Sequence, residues 1–261
     1  MTMQRFREWL EAPLWASDLV LVDGHCGDVA ADKVSPMSAI CASLARVLTG
    51  RKRGSARDRP AAMVLYHFCG QHLTQRDTLR GPEGLIRSLV HQLLMQSGDV
   101  ENCTPRRQGQ VPLEFVDTEL LWGVDEHDIA SLCKLFSELV IRLHPARPVF
   151  CIIDGVSEIE TALDGWRGDT CLIVKELLGL VDDAHRAGPG LRVLLTSSTR
   201  SAVLADLVVP SERQVSLLAG NALGRRSYPS LLERDLEDLL MADEAGNNLG
   251  CAEWDLRAEE P

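Results

Sequence analysis

The stretch LVDGHCGDVAADKVSPMSA, residues 21–39, decides the fold. Its apolar start reads as a strand, Gly24 to Val34 as a loop, and Ser35-Pro36 as a helix entry. Serine is a favoured N-cap, and proline is preset for the first helical turn. A strand that feeds a glycine-bearing loop and then a helix is the layout in which backbone N–H groups can surround a phosphate. The full pattern for such a loop is G-x-x-x-x-G-K-[ST], with a lysine for the terminal phosphates and a hydroxyl for magnesium. From Gly27 the register here is G-D-V-A-A-D-K-V. Gly27 and Lys33 match, but Asp32 stands at the second glycine and Val34 at the hydroxyl. Asp32 brings a Cβ and a negative charge to the place of the phosphate, and Asp28 adds a further charge. Like charges at loop distances cost on the order of a kcal/mol or more. Ser35 offers a hydroxyl one residue late, and a register from Gly24 is poorer, with Val29 and Ala30 at the glycine and lysine positions. The loop reads as a degenerate phosphate cradle.

Outward from this loop, five short apolar runs read as buried strands: residues 19–23, 62–68, 149–154, 191–197 and 214–218. They are continuous rather than alternating, as expected when helices cover both faces of a sheet. Helical patterns lie between them. SPMSAICASLARVLTG (35–50) closes at Gly50. GLIRSLVHQLL (84–94) sets Leu85, Ile86, Leu89, Val90, Leu93 and Leu94 on one stripe and leaves Arg87, Ser88, His91 and Gln92 outside it. DIASLCKLFSELVIRL (128–143) repeats that pattern, and LIVKELLGLVDDAHRAG (172–188) precedes the fourth strand and ends at Gly188-Pro189. Strands alternating with helices predict a three-layer α/β/α sandwich around a mostly parallel five-stranded sheet. Residues 1–220 form the expected domain. Residues 221–261 form an acidic extension with one amphipathic helix over 230–241, whose apolar face carries Leu232, Leu236, Leu239 and Leu240.

Composition narrows the function. Net charge is −11 and the pI is near 5.1, which disfavours nucleic acid and membrane surfaces as partners. Ten acidic residues stand against two arginines from Glu233 onward, so most of that charge lies in the tail. The basic loop GRKRGSARDRP (50–60) reads as a solvated connection, and QSGDVENCTPRRQGQVP (96–112) as a long polar loop that only a partner would order. The first residues carry no uninterrupted apolar stretch of signal-peptide length. Eight irregularly spaced cysteines, Cys41, Cys133 and Cys151 within apolar runs, read as buried thiols of a reducing compartment. A cytoplasmic location is expected. His25-Cys26 and Cys69-Gly-Gln-His72 follow the first and second strands and invite a zinc site, but if two other strands lie between these, at about 4.8 Å per strand, the pairs are roughly 14 Å apart.

Two strand ends complete the candidate site. The third strand ends VFCIIDGVSEIE, so Asp154 sits where a carboxylate would hold magnesium through water, and Glu158 where one would polarise an attacking water. Taken alone, the same segment is a buried strand with an Asp-Gly turn. The fourth strand ends LLTSSTRS, where Thr196, Ser197 and Arg200 are candidates to sense a terminal phosphate. The competing reading is a helix N-cap at Ser197 or Ser198.

Together FREWLEAPLWASDLVLVDG, VLYHFCGQ, GLIRSLVHQLL, VFCIIDGVSEIE and LRVLLTSSTRS resemble the NACHT-type nucleotide-binding domains of fungal STAND ATPases, a group that includes the nephrocystin-3-like domain. The resemblance runs from about Phe6 to Leu218. It implies a P-loop ATPase fold of strand order 5-1-4-3-2 and a nucleotide-controlled switch in signal transduction. By this resemblance Lys33 is the phosphate lysine, Asp154 the magnesium carboxylate and Glu158 the water-activating glutamate. Gly27 and Ser35 belong to the nucleotide loop, and Thr196 and Ser197 are the sensor. Ser157 stands where the family usually has a second aspartate, and the expected arginine after Thr-Ser is absent unless Arg200 serves. Nothing after residue 220 resembles the subdomains that close over nucleotide.

Two readings follow. The first is a degenerate NACHT/STAND-like regulatory or protein-interaction module that requires no cofactor and binds nucleotide weakly or not at all. It would engage a protein partner, or itself, through the 230–241 helix. The second is an active magnesium- and ATP-dependent switch with an atypical loop, ATP or ADP with magnesium being its ligand.

Overall fold

The computed structural model describes residues 2–13, 15–25, 34–50, 62–98, 113–183, 188–201 and 203–217. Gly27, Lys33, most of the basic and polar loops and the 230–241 segment lie outside these residues. Helix α1 (Thr2–Glu11) leads to β1 (Asp18–Asp23), α2 (Pro36–Gly50) and β2 (Met63–Phe68). Helices α3 (Gly81–Gly98), α4 (Thr118–Asp125) and α5 (Ile129–Ile141) follow, then β3 (Val149–Asp154), α6 (Trp166–Asp182), β4 (Leu191–Ser197) and β5 (Gln214–Ser216). The strands form one sheet of order β2-β3-β4-β1-β5. Every pairing is parallel, so the expected mostly parallel sheet is parallel throughout the described residues. Among those residues no helix is long and apolar enough to cross a membrane.

The central strands β1, β3 and β4 are buried along almost their whole length because each faces a core on both sides. Leu19 and Leu21 of β1, and Val149, Cys151 and Ile153 of β3, point into a core shared with α3, α5 and α6. Their neighbours Val20, Val22, Phe150 and Ile152 point the other way, into a core shared with α1 and α2. The two-residue pleat thus divides each strand between the two cores. The cysteines at 41, 69, 133 and 151 are buried free thiols.

Local chemistry sets the helix ends. Ser35 and Ser38 cap α2 reciprocally. The Ser38 N–H donates to Ser35 Oγ (3.1 Å), and the Ser35 N–H donates to Ser38 Oγ (3.0 Å). Asp117 and Asp128 accept from Leu120 N–H and Ser131 N–H to start α4 and α5. Helix α6 begins at Trp166, earlier than its apolar periodicity suggests. Gly165, at φ 79°, turns the chain there, and the buried Trp166 ring packs against Gly81, where a Cβ would come within 2.6 Å of the indole. It also ends at Asp182, well before Gly188-Pro189. Arg192, at 2% exposure in β4, donates to the carbonyls of Leu10 (3.1 Å) and Ala12, so a sheet cation ties down the C-terminal end of α1.

The β2 edge of the sheet is closed by side chains. Gln92 donates to the Tyr66 carbonyl (2.8 Å) and accepts from the Tyr66 N–H (3.0 Å). One turn later Gln96 does the same for Val64, at 2.8 and 3.1 Å. Two glutamines spaced i,i+4 on α3 therefore pair with β2 as a neighbouring strand would, which blunts an otherwise open edge.

Candidate functional site

In a parallel sheet the C-terminal strand ends open toward one side, and ligands of such folds bind there. Three strand ends and the first turn of α2 meet at this position. Strand β1 delivers Asp23 and Gly24. The Gly24 N–H donates to the Ser197 carbonyl (2.8 Å), and a Cβ on Gly24 would lie 3.1 Å from that oxygen and 3.3 Å from Met37 Cγ. A side chain at 24 would press on the β4 backbone and on Met37, so glycine suits the close exit of β1 from the sheet. Beyond it His25 adopts φ 49°, and its Nε2 lies 2.8 Å from Ser216 Oγ.

Asp154, at the end of β3, is 4% exposed. Thr196 Oγ1 on β4 donates to its Oδ1 at 2.6 Å, and Gly155 N–H in turn donates to Thr196 Oγ1 (3.4 Å). Ser38 and Cys41 on α2 lie beside the same carboxylate, Cys41 Sγ being 3.8 Å from Thr196 Oγ1. Burial holds the Asp154 carboxyl above the usual carboxylate range. The hydrogen bonds from Ser38, Thr196 and Cys41 oppose that rise, and the nearby Glu158 charge adds to it. Burial, reinforced by Asp154, also pushes the Cys41 thiol well up, which leaves it a poor nucleophile. Glu158, in the turn after Gly155 (φ 74°), is half-buried and close enough to Asp154 and Cys69 to affect both electrostatically.

A second acidic group lies beside the first. Asp23 accepts from the Ser201 N–H (2.9 Å), while Glu160 accepts from Ser201 Oγ (2.5 Å) and the Leu204 N–H (3.0 Å). Burial raises the Asp23 pKa, the Ser201 N–H and His25 oppose this, and Glu160 reinforces it. Ser201, fully buried, thus bridges two carboxylates and also accepts from Ala205 N–H (3.2 Å).

The residues expected at the site are placed unequally. Asp154 and Thr196 are in direct contact, and Ser35 reaches them only through Ser38, its Oγ lying 3.1 Å from Ser38 Oγ. Ser197 is buried at the end of β4, with its hydroxyl donating to the Thr199 carbonyl. Arg200 is exposed and paired with Asp206 at 2.9 Å. No α-helix follows from Ser197 or Ser198. A short π-type turn forms at Leu204–Val208, and Ser201 takes the capping part instead, because its hydroxyl can serve Glu160 and Ala205 together. Gly27 and Lys33 fall outside the described residues.

Ser38, Cys41, Asp23, Glu160 and Ser201 are the members that motif spacing missed. Ser38 had a signal in the S-P-M-S spacing of a reciprocal cap. Asp23 and Glu160 had only their positions after apolar strands. Three clefts of about 550 to 800 Å³ are lined by other residues, the largest by Arg80, Glu83, His127 and Trp166 among others.

No curated protein and no solved structure matches the chain significantly. The profile of the family described as Nephrocystin 3, N-terminal, matches residues 2–198, about three-quarters of the sequence. With its parallel five-stranded sheet in the order β2-β3-β4-β1-β5, the chain belongs to the nephrocystin 3 N-terminal family.

Proposed function

We propose that this domain is a degenerate NACHT/STAND-like regulatory or protein-interaction module, cytoplasmic, with weak or no nucleotide binding and no hydrolysis. The observation that carries this reading is the state of Asp154. A magnesium carboxylate has to face the metal's water shell. Asp154 instead faces Thr196, Ser38 and Cys41, and burial disfavours the charge that a cation would need. Asp23 and Glu160 add further carboxylates at the same end of the sheet, where polyphosphate would have to sit. Arg200, the cation nearest in sequence to the fourth strand end, is engaged by Asp206. These residues do not fit a bound magnesium nucleotide, and no step is derived through one. Asp154 and Thr196 act here as a clasp between β3 and β4. Residues 230–241 of the acidic C-terminal stretch, outside the described residues, are the segment we assign to a protein partner or to self-association.

An active switch with an atypical loop through Gly27 and Lys33 remains the competing reading, and Glu158 favours it, being half-buried next to Asp154. Phosphate release from ATP with magnesium separates the two. The module releases none above the protein-free control. Magnesium-dependent release that falls when Glu158→Gln is introduced would overturn it.

A further inference from the structure

We infer that residues 230–241 of one copy of this chain dock, as an amphipathic helix, in the cleft between α2 and the β2 edge of a second copy. The inference rests on the reading that this segment serves association, and it names the surface that receives it. A cleft of about 700 Å³ runs between α2 and β2, lined by Ala42, Ala45, Arg46, Thr49, Tyr66 and Phe68 among others. Tyr66 is 46% exposed and its ring meets Phe68 edge-on at 6.1 Å, which gives the cleft an aromatic wall. A second cleft of about 550 Å³, toward α3, shares Thr49, Tyr66 and Phe68 with the first, and Met95 stands 60% exposed in its lining. A strand would find this edge taken. Gln92 and Gln96 already occupy the N–H and C=O groups of Tyr66 and Val64. An occupant therefore docks through side chains, as an amphipathic helix does in a groove.

Charge selects the occupant. The chain carries −11 overall, yet no described residue lining either cleft is an aspartate or glutamate, and Arg46 and His91 are exposed there. Residues 230–241, SLLERDLEDLLM, set Leu232, Leu236, Leu239 and Leu240 at i, i+4, i+7 and i+8. Glu233, Asp235, Glu237 and Asp238 lie outside that stripe, against the single Arg234. So short a helix is marginal alone in water, and its stripe needs a surface. The basic stretch 51–59 carries five cations against Asp58 and would meet Arg46 with like charge. Reach favours a second copy. Leu217, the last described residue, follows β5 at the edge opposite β2. The two edges are roughly 19 Å apart at about 4.8 Å per strand, and a route over a helical layer about 10 Å thick adds its height twice. Residues 218–229 span at most about 40 Å fully extended, so a return within one copy would be taut. A neighbouring copy imposes no such route, and reciprocal exchange closes a two-fold dimer.

The test is analytical ultracentrifugation of the full chain without nucleotide, over a range of micromolar concentrations. The wild type forms a dimer that dissociates on dilution. Ala42→Glu with Arg46→Glu, both exposed on α2, raises the dimer Kd at least tenfold, and Leu236→Asp with Leu239→Asp does the same. An equimolar mixture of the two variants associates more tightly than either alone, because each supplies the half that the other lacks. A fluorescent peptide of residues 228–243 keeps the cleft testable should the α2 pair fail to fold. It binds the Leu236→Asp/Leu239→Asp chain, whose cleft is intact, and unlabelled wild-type peptide displaces it while the doubly substituted peptide does not. A wild type that stays monomeric, a dimer untouched by a folded α2 pair, or a peptide that does not bind would overturn this inference alone. A dimer that forms only with magnesium ATP would overturn both it and the functional reading beneath it.

Discussion

Replacing Gln96 by alanine should destabilise the domain more than the same change at Gln92, although both glutamines make the same pair of hydrogen bonds to β2. Gln96→Ala removes a donor and an acceptor from Val64, whose side chain is 3% exposed. Each bond contributes a net of about 0.5–1.5 kcal/mol, and a buried backbone group left unpaired costs toward the upper end. Alanine regains a few tenths of a kcal/mol in helix propensity. The expected loss is about 2 kcal/mol. Tyr66, the partner of Gln92, is 46% exposed, so water can replace the lost amide. The loss there should be about 1 kcal/mol or less. Gln96→Glu sharpens the comparison. A carboxylate still accepts from the Val64 N–H, but it cannot donate to the carbonyl and sets a charge beside it. Its cost at pH 7 should equal or exceed that of alanine. Urea denaturation at 25 °C measures all three, and an unchanged m-value confirms that the folded and unfolded states remain comparable. A Gln92→Ala chain as damaged as Gln96→Ala, or losses below about 0.3 kcal/mol at both positions, would refute the edge-clasp account.

Other expectations concern charge. His67 is buried and its pKa falls to about 4, chiefly through burial, with His72 stacked at 4.7 Å. The unfolded chain binds this proton at a higher pH than the folded one. The neutral ring is therefore compatible with the fold above about pH 6.5, and stability declines as pH falls from there toward 4. Up to about 3 kcal/mol is at stake over this window, and His67→Phe should flatten that part of the stability–pH curve. Asp154 has the opposite sign. Its carboxyl is raised in the folded state, so its contribution is largest when protonated and falls as pH rises from the unfolded carboxyl range through the folded pKa. Asp154→Asn keeps an acceptor for Thr196, should remove that decline, and should leave the melting temperature at pH 7 equal or higher. A clear drop would contradict the account. Arg192→Lys, which keeps the charge but loses the guanidinium fork that reaches Leu10 and Ala12, should cost about 2 kcal/mol or more by urea denaturation. Rescue to wild-type stability would show that the α1 tether is charge alone.

The strands were legible because a residue buried on both faces is most often apolar, and the runs at 19–23, 149–154 and 191–197 are dominated by Leu, Val, Ile, Phe and Cys up to their C-terminal ends. Arg192 is the exception, and nothing in a run of leucines and valines reveals that its partner is a helix end 180 residues earlier. Gln92 lay outside the apolar stripe of its helix, as expected, but periodicity cannot distinguish a solvated side chain from one pairing with a strand edge. The start of α6 lies six residues before the apolar pattern at 172–188, because the burial of Trp166 against Gly81 decides the fold there. At the site, Asp154 and Thr196 were each legible as strand ends. Their contact depends on the β3–β4 register, and Ser38 enters only once α2 is docked on the sheet.

The most direct test of the central claim is the melting temperature of the wild-type chain with and without 5 mM ATP and magnesium, with Asp154→Asn as control. A ligand that binds only the folded state stabilises it by about 2.7 kcal/mol at a hundredfold excess over Kd, enough to move the transition by several degrees. The account predicts no shift. A shift that grows with nucleotide concentration and disappears in Asp154→Asn would show that Asp154 still serves a magnesium nucleotide, and would contradict it.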